Sequence, residues 1–226
     1  LEVGIGDVLK GFLSSLSRST ISSLIFYLAA ATDPILDLID AGKVQGVSCN
    51  SLRFSASALH RFFSRLEHYK PYFILRPVTL TNSAEMLNRF GVLAINSGLE
   101  ADLQGQVNSS HVRGSQLIGG IAGSYDFARN SSISVFALPS TTRQGKISNV
   151  VPRVSHVDHT EHEVDVLITE HGIADLRALE PYERARRIVE QCADPKFREN
   201  LKAYMEKARL NPGRVPILVR DEFDIR

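Results

Sequence analysis

Apolar runs and amphipathic stretches alternate along this chain, and each pattern predicts a different kind of element. Short runs that are apolar on both faces predict buried strands at residues 1–6, 22–31, 72–75, 92–95, 133–138, 147–151 and 164–169. Apolar residues spaced three and four apart predict helices from residue 7 onward and at 34–42, 56–68, 84–90, 182–192 and 197–205. This interleaving indicates an α/β fold, with a mostly parallel open sheet and flanking helices.

Composition narrows the class of protein. The 226 residues are 43% hydrophobic and 23% charged, with a net charge of +1 and no basic block, so we predict no nucleic-acid partner. The longest apolar run, at residues 24–31, falls far short of the ~20 residues of a membrane helix, so we predict no membrane span. Two cysteines make no disulfide framework, which favours a reducing compartment such as the cytosol or the mitochondrial matrix.

Ligands of parallel sheets collect at the loops that follow the strands, and two such loops are rich in glycine. Gly4-Ile5-Gly6 follows the first strand, and its backbone N–H groups either point at an anion or simply make a tight turn. The second loop, residues 119–127 (GGIAGSYDF), lets the backbone approach a ligand closely or is a plain flexible loop. It matches neither a Walker loop nor a dinucleotide fingerprint.

A third loop, residues 155–162 (SHVDHTEH), holds three histidines and an aspartate. The run is near the His-x-His-x-Asp-His motif of binuclear zinc hydrolases, but Val154 stands where the first histidine should be. We therefore predict no zinc on His156, His159 and His162, and interpret these histidines as hydrogen-bonding groups of the loop.

Several runs, read together, resemble one family. They are DLIDAGK at 37–43, LRP at 75–77, SHVDHTEH at 155–162, and TE at 169–170 followed by GIADLR at 172–177. The chain resembles the acetyl-CoA hydrolase/transferase family, above all its acetate:succinate and propionate:succinate CoA-transferases. The resemblance implies a CoA-transferase-like lobe and covers nearly the whole chain, so residues 1–226 are interpreted as a single C-terminal domain whose first lobe is missing. The start at Leu1, as if a strand were under way, is interpreted as a processed product or as half of something longer.

The resemblance implies a reaction at a glutamate carboxylate. In the family this carboxylate attacks an acyl-CoA thioester, and an acyl anhydride and then a glutamyl-CoA thioester form. The matching positions here are oxyanion donors at Ile5 and Gly123 and polar partners at Asn82 and Glu170. The resemblance further implies coenzyme A or an acyl-CoA as the ligand, with no covalently bound cofactor. The residues implied to contact it are Gly120, Gly123, Arg143 and Lys146.

This chain departs from the family pattern at the implied site. Counting back from Asp37, the family's Ser-Glu pair falls on Leu28 and Ala29, so alanine takes the place of the nucleophile. Family glycines are replaced at Ala122 and Tyr125, a glutamine is replaced by His171, and Arg214 stands where a histidine is usual.

No other acid is an obvious substitute for the lost glutamate. Glu100 and Asp102 are interpreted as loop or interface residues, and Asp33 as a helix N-cap that is already engaged. Catalysis by the family route is therefore expected to be impaired.

Two functions follow from these residues. One is a CoA-transferase or acyl-CoA hydrolase lobe with impaired catalysis, and the alternative is a non-catalytic structural or regulatory subunit of a larger, for instance mitochondrial, assembly. Under both, we expect the family's N-terminal lobe or a partner subunit to cover residues 119–127, in an oligomer or larger complex. Tyr125 fits a protein contact there, because a bulky aromatic side chain would crowd a CoA channel.

Overall fold

The computed structural model of the chain describes residues 1–210, so the expectation for Arg214 lies outside the described residues. The chain divides into two compact units. Unit 1 comprises Leu1–Ser97 and Ala122–Ser134, and unit 2 comprises Gly98–Ile121 and the chain from Val135 onward.

Unit 1 holds strands joined by helices. Its strands are β1 (Glu2–Val3), β2 (Leu24–Thr32), β3 (Val44–Arg53), β4 (Phe73–Leu75) and β5 (Leu93–Ser97). Its helices are α1 (Asp7–Arg18), α2 (Asp33–Asp40), α3 (Ala56–Ser64), α4 (Leu66–Tyr69), α5 (Val78–Thr81), α6 (Ala84–Phe90) and α7 (Ser124–Asn130). Strand β3 lies between β2 and β4, and β1 pairs with β5; all of these pairings are parallel.

Unit 2 is built from shorter strands and two closing helices. Its strands are β6 (Glu100–Asp102), β7 (Val107–Asn108), β8 (His111–Val112), β9 (Gln116–Leu117), β11 (Thr141–Thr142), β12 (Ile147–Ser148), β13 (Val150–Val151), β14 (Val166–Thr169) and β15 (Gly172–Asp175), together with β10 (Ile133–Ala137) from Val135 onward. Its helices are α8 (Pro181–Cys192) and α9 (Pro195–Arg209). Strands β10 and β14 pair in parallel and β14 turns back on β15, while β6 pairs in parallel with β13.

Apolar periodicity explains why the helices form where they do. In α1, Leu9, Leu13 and Leu16 share one buried face, with Asp7 in the first turn and Arg18 in the last, as the helix dipole favours. Strand β2 buries three consecutive residues, Phe26 to Leu28, on both of its faces. This pattern is typical of a parallel sheet covered by helices.

The structure confirms the α/β fold class with mostly parallel pairing and flanking helices, and corrects several elements. Strand β3 was not predicted, and residues 147–151 form two short strands instead of one. The helix expected at 56–68 breaks at Arg65, whose φ of −124° and ψ of 37° are not helical. None of the helices within residues 1–210 combines the length and apolar character that a membrane crossing needs.

Candidate active site

Ala29 lies in the second half of β2, on a strand held in parallel register by β3. Its neighbours Leu28 and Ala30 pair with Cys49 and Ser51, and the Ser51 hydroxyl donates to the Ala29 carbonyl oxygen at 3.2 Å. The Ala29 methyl group is half-buried and packs against a core cluster that includes Tyr27. Leu28 is fully buried.

Three of the predicted site residues, Ala29, Asn82 and Gly123, lie close together. A Cβ at Gly123 would lie 3.1 Å from the Ala29 Cβ and 3.2 Å from the Asn82 side-chain nitrogen. Both distances are tighter than ordinary contact, so a side chain at position 123 would require its neighbours to shift by a few tenths of an ångström. Ala29, Asn82 and Gly123 therefore form one group, which we call the Ala29 group.

A chain of hydrogen bonds fixes the orientation of the Asn82 amide. Its Nδ2 donates to Asp126 Oδ2 at 2.8 Å, and its Oδ1 accepts from the Thr81 hydroxyl at 2.9 Å. The Asn50 amide in turn donates to Thr81 Oγ1 at 3.1 Å. Asp126, Thr81 and Asn50 were not predicted as site residues. Asn50 lies on β3, a strand that the sequence did not predict, so no local pattern pointed to it.

The glycine-dense loop ends in a helix, because α7 begins at Ser124 with Gly123 at its N-cap position. Ala122 has a φ of 46°, in the left-handed region that favours glycine, at a position where the family pattern has glycine. Tyr125 is exposed and does not pack inward; its ring lies 5.7 Å from the Arg129 guanidinium, which donates to the Tyr125 hydroxyl.

Ile5 lies at a second place in unit 1, directly after β1. Its carbonyl oxygen accepts from the Ser97 hydroxyl at 3.2 Å, and its side chain is exposed. The Gly4 N–H donates to the Ile95 carbonyl at 2.9 Å, and a Cβ at Gly6 would lie 2.9 Å from Ser97 Oγ. The two glycines thus allow this turn to run close against β5.

Three acids that were considered as substitutes for the lost glutamate have structural positions in the fold. Asp33 lies inside α2 and is not its N-cap; its Oδ1 accepts from the Ser55 N–H at 2.8 Å. Glu100 and Asp102 lie in β6 and not in a loop. Glu100 accepts from the Ser155 N–H at 2.7 Å, and Asp102 is fully buried. These contacts give all three carboxylates structural roles.

In unit 2, Glu170 directly follows β14, and Ser140 holds its carboxylate in place. The Ser140 N–H donates to its Oε2 at 2.8 Å and the Ser140 hydroxyl to its Oε1 at 2.5 Å. Partial burial favours the neutral acid, but the hydrogen bonds from Ser140 outweigh it and lower the pKa of Glu170. The Nε2 atom of His171 lies 3.8 Å from Glu170 Oε1 and 3.5 Å from Asp194 Oδ2. Sequence reasoning missed Ser140, although it follows the strand at 133–138, where post-strand chemistry is expected.

The residues proposed for the CoA phosphates are exposed. Arg143 and Lys146 lie in the β11–β12 hairpin, where Arg143, Gln144 and Gly145 all have positive φ. The Lys146 N–H donates to the Arg143 carbonyl across this turn at 3.4 Å. Gly120 is exposed as well. Both cations therefore project from a tight turn into solvent.

The histidines of the run at 155–162 have separate environments. His159 is completely buried and its ring centroid lies 4.6 Å from that of Phe136. His162 is the most exposed of the three, with 85% of its side chain accessible, beside Glu161 at 3.7 Å. His156 lies 3.4 Å from Asp158. The backbone thus directs the three histidine side chains to different places.

Comparison with known proteins identifies the relatives of this chain. Residues 59–205 match the model of the acetyl-CoA hydrolase/transferase C-terminal domain. The propanoyl-CoA:succinate CoA transferase of Escherichia coli K12 is 42% identical over 209 residues, which cover 92% of this chain and 42% of that protein. The acetyl-CoA hydrolase of Neurospora crassa is 38% identical over 234 residues, covering 100% of this chain and 45% of that protein.

The fold has a solved counterpart as well. RipA from Yersinia pestis superposes with a TM-score of 0.78 at 25% identity, covering 93% of this chain and 48% of that one. The chain thus spans less than half the length of each of these relatives. It belongs to the acetyl-CoA hydrolase/transferase family, and its match is to the family's C-terminal domain.

Proposed function

We propose that residues 1–226 form the C-terminal domain of an acyl-CoA:carboxylate CoA-transferase or acyl-CoA hydrolase in which Ala29 replaces the nucleophilic glutamate. The observation that carries this proposal is the Ala29 group, in which Gly123 adjoins both the Ala29 methyl and the Asn82 amide. A closely approaching glycine backbone, an oriented amide and a buried strand are the surroundings that an attacking carboxylate needs. The side chain at their centre has no lone pair.

The family reaction depends on that carboxylate. A carboxylate oxygen attacks the thioester carbonyl, the C–S bond breaks and the CoA thiolate leaves an acyl anhydride. The thiolate then attacks the glutamyl carbonyl, forms the glutamyl-CoA thioester and expels the first carboxylic acid. An alanine side chain can do neither step.

A neighbouring acid is a poor replacement. The Asp126 carboxylate is bonded to the Ala29 group, where it already accepts the Asn82 hydrogen bond at 2.8 Å. Asp33 accepts from the Ser55 backbone. A displaced nucleophile loses much of the orientation effect, which is worth roughly 7–11 kcal/mol for well-placed reactants. Turnover by the glutamyl-thioester route is therefore expected to be impaired.

The rest of the proposed machinery is retained. Ile5 and Gly123 are proposed as backbone oxyanion donors, and Glu170 as a polar partner that its lowered pKa keeps ionised near neutral pH. Arg143 and Lys146 are proposed to meet the CoA phosphates, with Gly120 and Gly123 giving close backbone approach. Their exposure supports this role, because a solvated cation can reach an incoming phosphate.

The alternative is a non-catalytic structural or regulatory subunit of a larger assembly. Ala29, the strained Ala122 and the exposed Tyr125 favour it, because each departs from the family pattern near the same loop. Under either function we propose that the N-terminal lobe or a partner subunit covers residues 119–127. A cytosolic or mitochondrial-matrix protein fits the two buried free cysteines.

The two functions differ in whether coenzyme A binds. Calorimetric titration with CoA and acetyl-CoA should detect binding that Arg143→Ala with Lys146→Ala weakens, while the exposed-cation control Lys202→Ala leaves it unchanged. Acyl transfer to succinate should stay at background for the natural sequence. Absence of CoA binding would favour the subunit, and robust transfer with Ala29 in place would contradict the impaired enzyme.

A further inference from the structure

Two loops of unit 2 bring His111, His156 and Asp158 together. One potential ligand atom of each residue lies within 4.8 Å of the other two. His156 Nε2 is 3.4 Å from Asp158 Oδ1, and the ring centroids of His111 and His156 are 3.8 Å apart. Because each zinc ligand sits about 2.0–2.2 Å from the ion, two ligand atoms lie at most about 4.4 Å apart, and the 3.4 Å between His156 Nε2 and Asp158 Oδ1 is within that limit.

The carboxylate of this cluster is buried and held in place. Only 6% of the Asp158 side chain is exposed, and its Oδ2 accepts from the Ser109 N–H at 2.7 Å. The Ser110 hydroxyl lies 2.7 and 2.6 Å from the two Asp158 oxygens and 2.7 Å from His111 Nδ1. Ser110 therefore links the aspartate to one histidine, as outer-shell groups do around metal ligands.

The loop that carries His111 is also fixed. Asn108 is fully buried; its Oδ1 accepts from the N–H groups of Ser110 and His111 at 3.2 and 3.0 Å. Its Nδ2 donates to the His111 carbonyl at 2.8 Å. The ligand atoms are thus positioned by the protein before any ion arrives, which reduces the ordering cost of binding.

We propose that His111, His156 and Asp158 form a binding site for a divalent transition-metal ion of the zinc class. Two imidazoles and one carboxylate are the donor set of three-ligand zinc sites, which keep a fourth position for water or substrate.

This site differs from the run of three histidines that the sequence singles out. His159 packs on Phe136 in the core and His162 projects into solvent, so neither joins the cluster. His111, from β8, supplies the ligand that the run lacks. The absence of zinc on His156, His159 and His162 together stays a prediction, and the new site takes His156 and Asp158 from the run at 155–162.

Zinc binding by the purified, chelator-stripped protein tests the proposal. Titration with Zn²⁺ should give one ion per chain, and Co²⁺ should give the intense visible absorption of a low-coordinate site. His111→Ala and His156→Ala should abolish both signals. Ser110→Ala should weaken binding about 10- to 100-fold, as loss of an outer-shell partner does. The matched control is His162→Ala, a solvent-exposed histidine of the same loop, which should bind as the natural sequence does.

Two results would overturn the proposed metal site. Absence of stoichiometric zinc and of the cobalt band in the natural sequence would overturn the site, whatever the variants do. Binding that survives in His156→Ala but is lost in His162→Ala would overturn it as well. If a variant fails to fold, judged by circular dichroism, the Ser110→Ala affinity and the cobalt spectrum of the natural sequence decide the question.

Discussion

Ala122 carries backbone strain that glycine would not. Its φ of 46° costs a residue with a Cβ about 1–2 kcal/mol, and glycine gives back part of that through its freer unfolded state. Ala122→Gly should therefore raise the free energy of unfolding by about 0.5–1 kcal/mol in urea denaturation. Ala128→Gly, in the body of α7, is the control and should lower it by about 1 kcal/mol or more. A destabilising Ala122→Gly would mean that the strain is not there.

Asp102 should make the free energy of unfolding depend on pH in the direction opposite to that of an ordinary ion-paired carboxylate. Burial raises the pKa of its carboxyl to about 6, against the opposing hydrogen bonds from the N–H groups of Gln106, Val154 and Gln104. The unfolded group has a pKa of about 3.9, so between pH ~4 and ~6 only the folded state holds the proton. Over that window the free energy of unfolding should fall as pH rises, by up to about 3 kcal/mol.

The Asp102→Asn variant isolates this contribution. The amide cannot titrate, so the difference in stability between the two proteins should change steeply from pH 4 to 6 and be flat above 7. Urea denaturation across this range measures it, and other acids cancel in the difference. Parallel pH profiles of the two proteins would show that Asp102 is ionised in the fold throughout.

At the level of elements, the sequence predicted those whose apolar residues recur with a regular period. It did not predict the strand that carries polar residues among the apolar ones. The sequence predicted α6 at its observed bounds and α1, β2 and β5 within a few residues, because their apolar spacing is regular. Strand β3 was missed since VQGVSCNSLR mixes polar residues into a strand flanked by β2 and β4. Its Asn50 and Ser51 bond to Thr81 and Ala29, which no local pattern reveals.

For the candidate site, too, the sequence predicted some of the residues and not others. The motif spacing placed Ala29, Asn82 and Gly123 by resemblance, and the fold brings these three together. Asp126, which holds Asn82, and Ser140, which holds Glu170, were not predicted, because both act through contacts distant in sequence. His111 was missed for the same reason, as its partners are far along the chain.

Two glycines in regular elements should respond oppositely to alanine. Gly11 lies within α1, and a Cβ there meets nothing within 4 Å, so Gly11→Ala should stabilise the protein by about 0.5–1 kcal/mol. Gly172 begins β15, where a Cβ would lie 2.9 Å from the Gln191 carbonyl oxygen, so Gly172→Ala should cost about 1–3 kcal/mol. Urea denaturation of both variants measures this contrast, and equal effects would show that the two surroundings are alike.

At the scale of the whole molecule, apolar side chains remain exposed near the proposed partner surface. Leu117, Ile118 and Tyr125 are all exposed in the chain by itself. We expect the protein to associate, with itself or with a lobe that covers residues 119–127. Light scattering after size exclusion should give a mass above that of one chain, reduced in Tyr125→Ala. Phe63→Ala, which removes another exposed aromatic side chain, should leave the mass unchanged. A monomer with the natural sequence would rule self-association out.

The central claim, that position 29 offers no nucleophile, has a direct covalent test. The protein is incubated with acyl-CoA, treated with borohydride or hydroxylamine to trap acyl intermediates, and its peptides are mapped by mass spectrometry. The natural sequence should carry no CoA-derived modification on any carboxylate, and Ala29→Glu supplies the comparison in which position 29 can react. A covalent CoA adduct on any carboxylate of the natural chain would contradict the account.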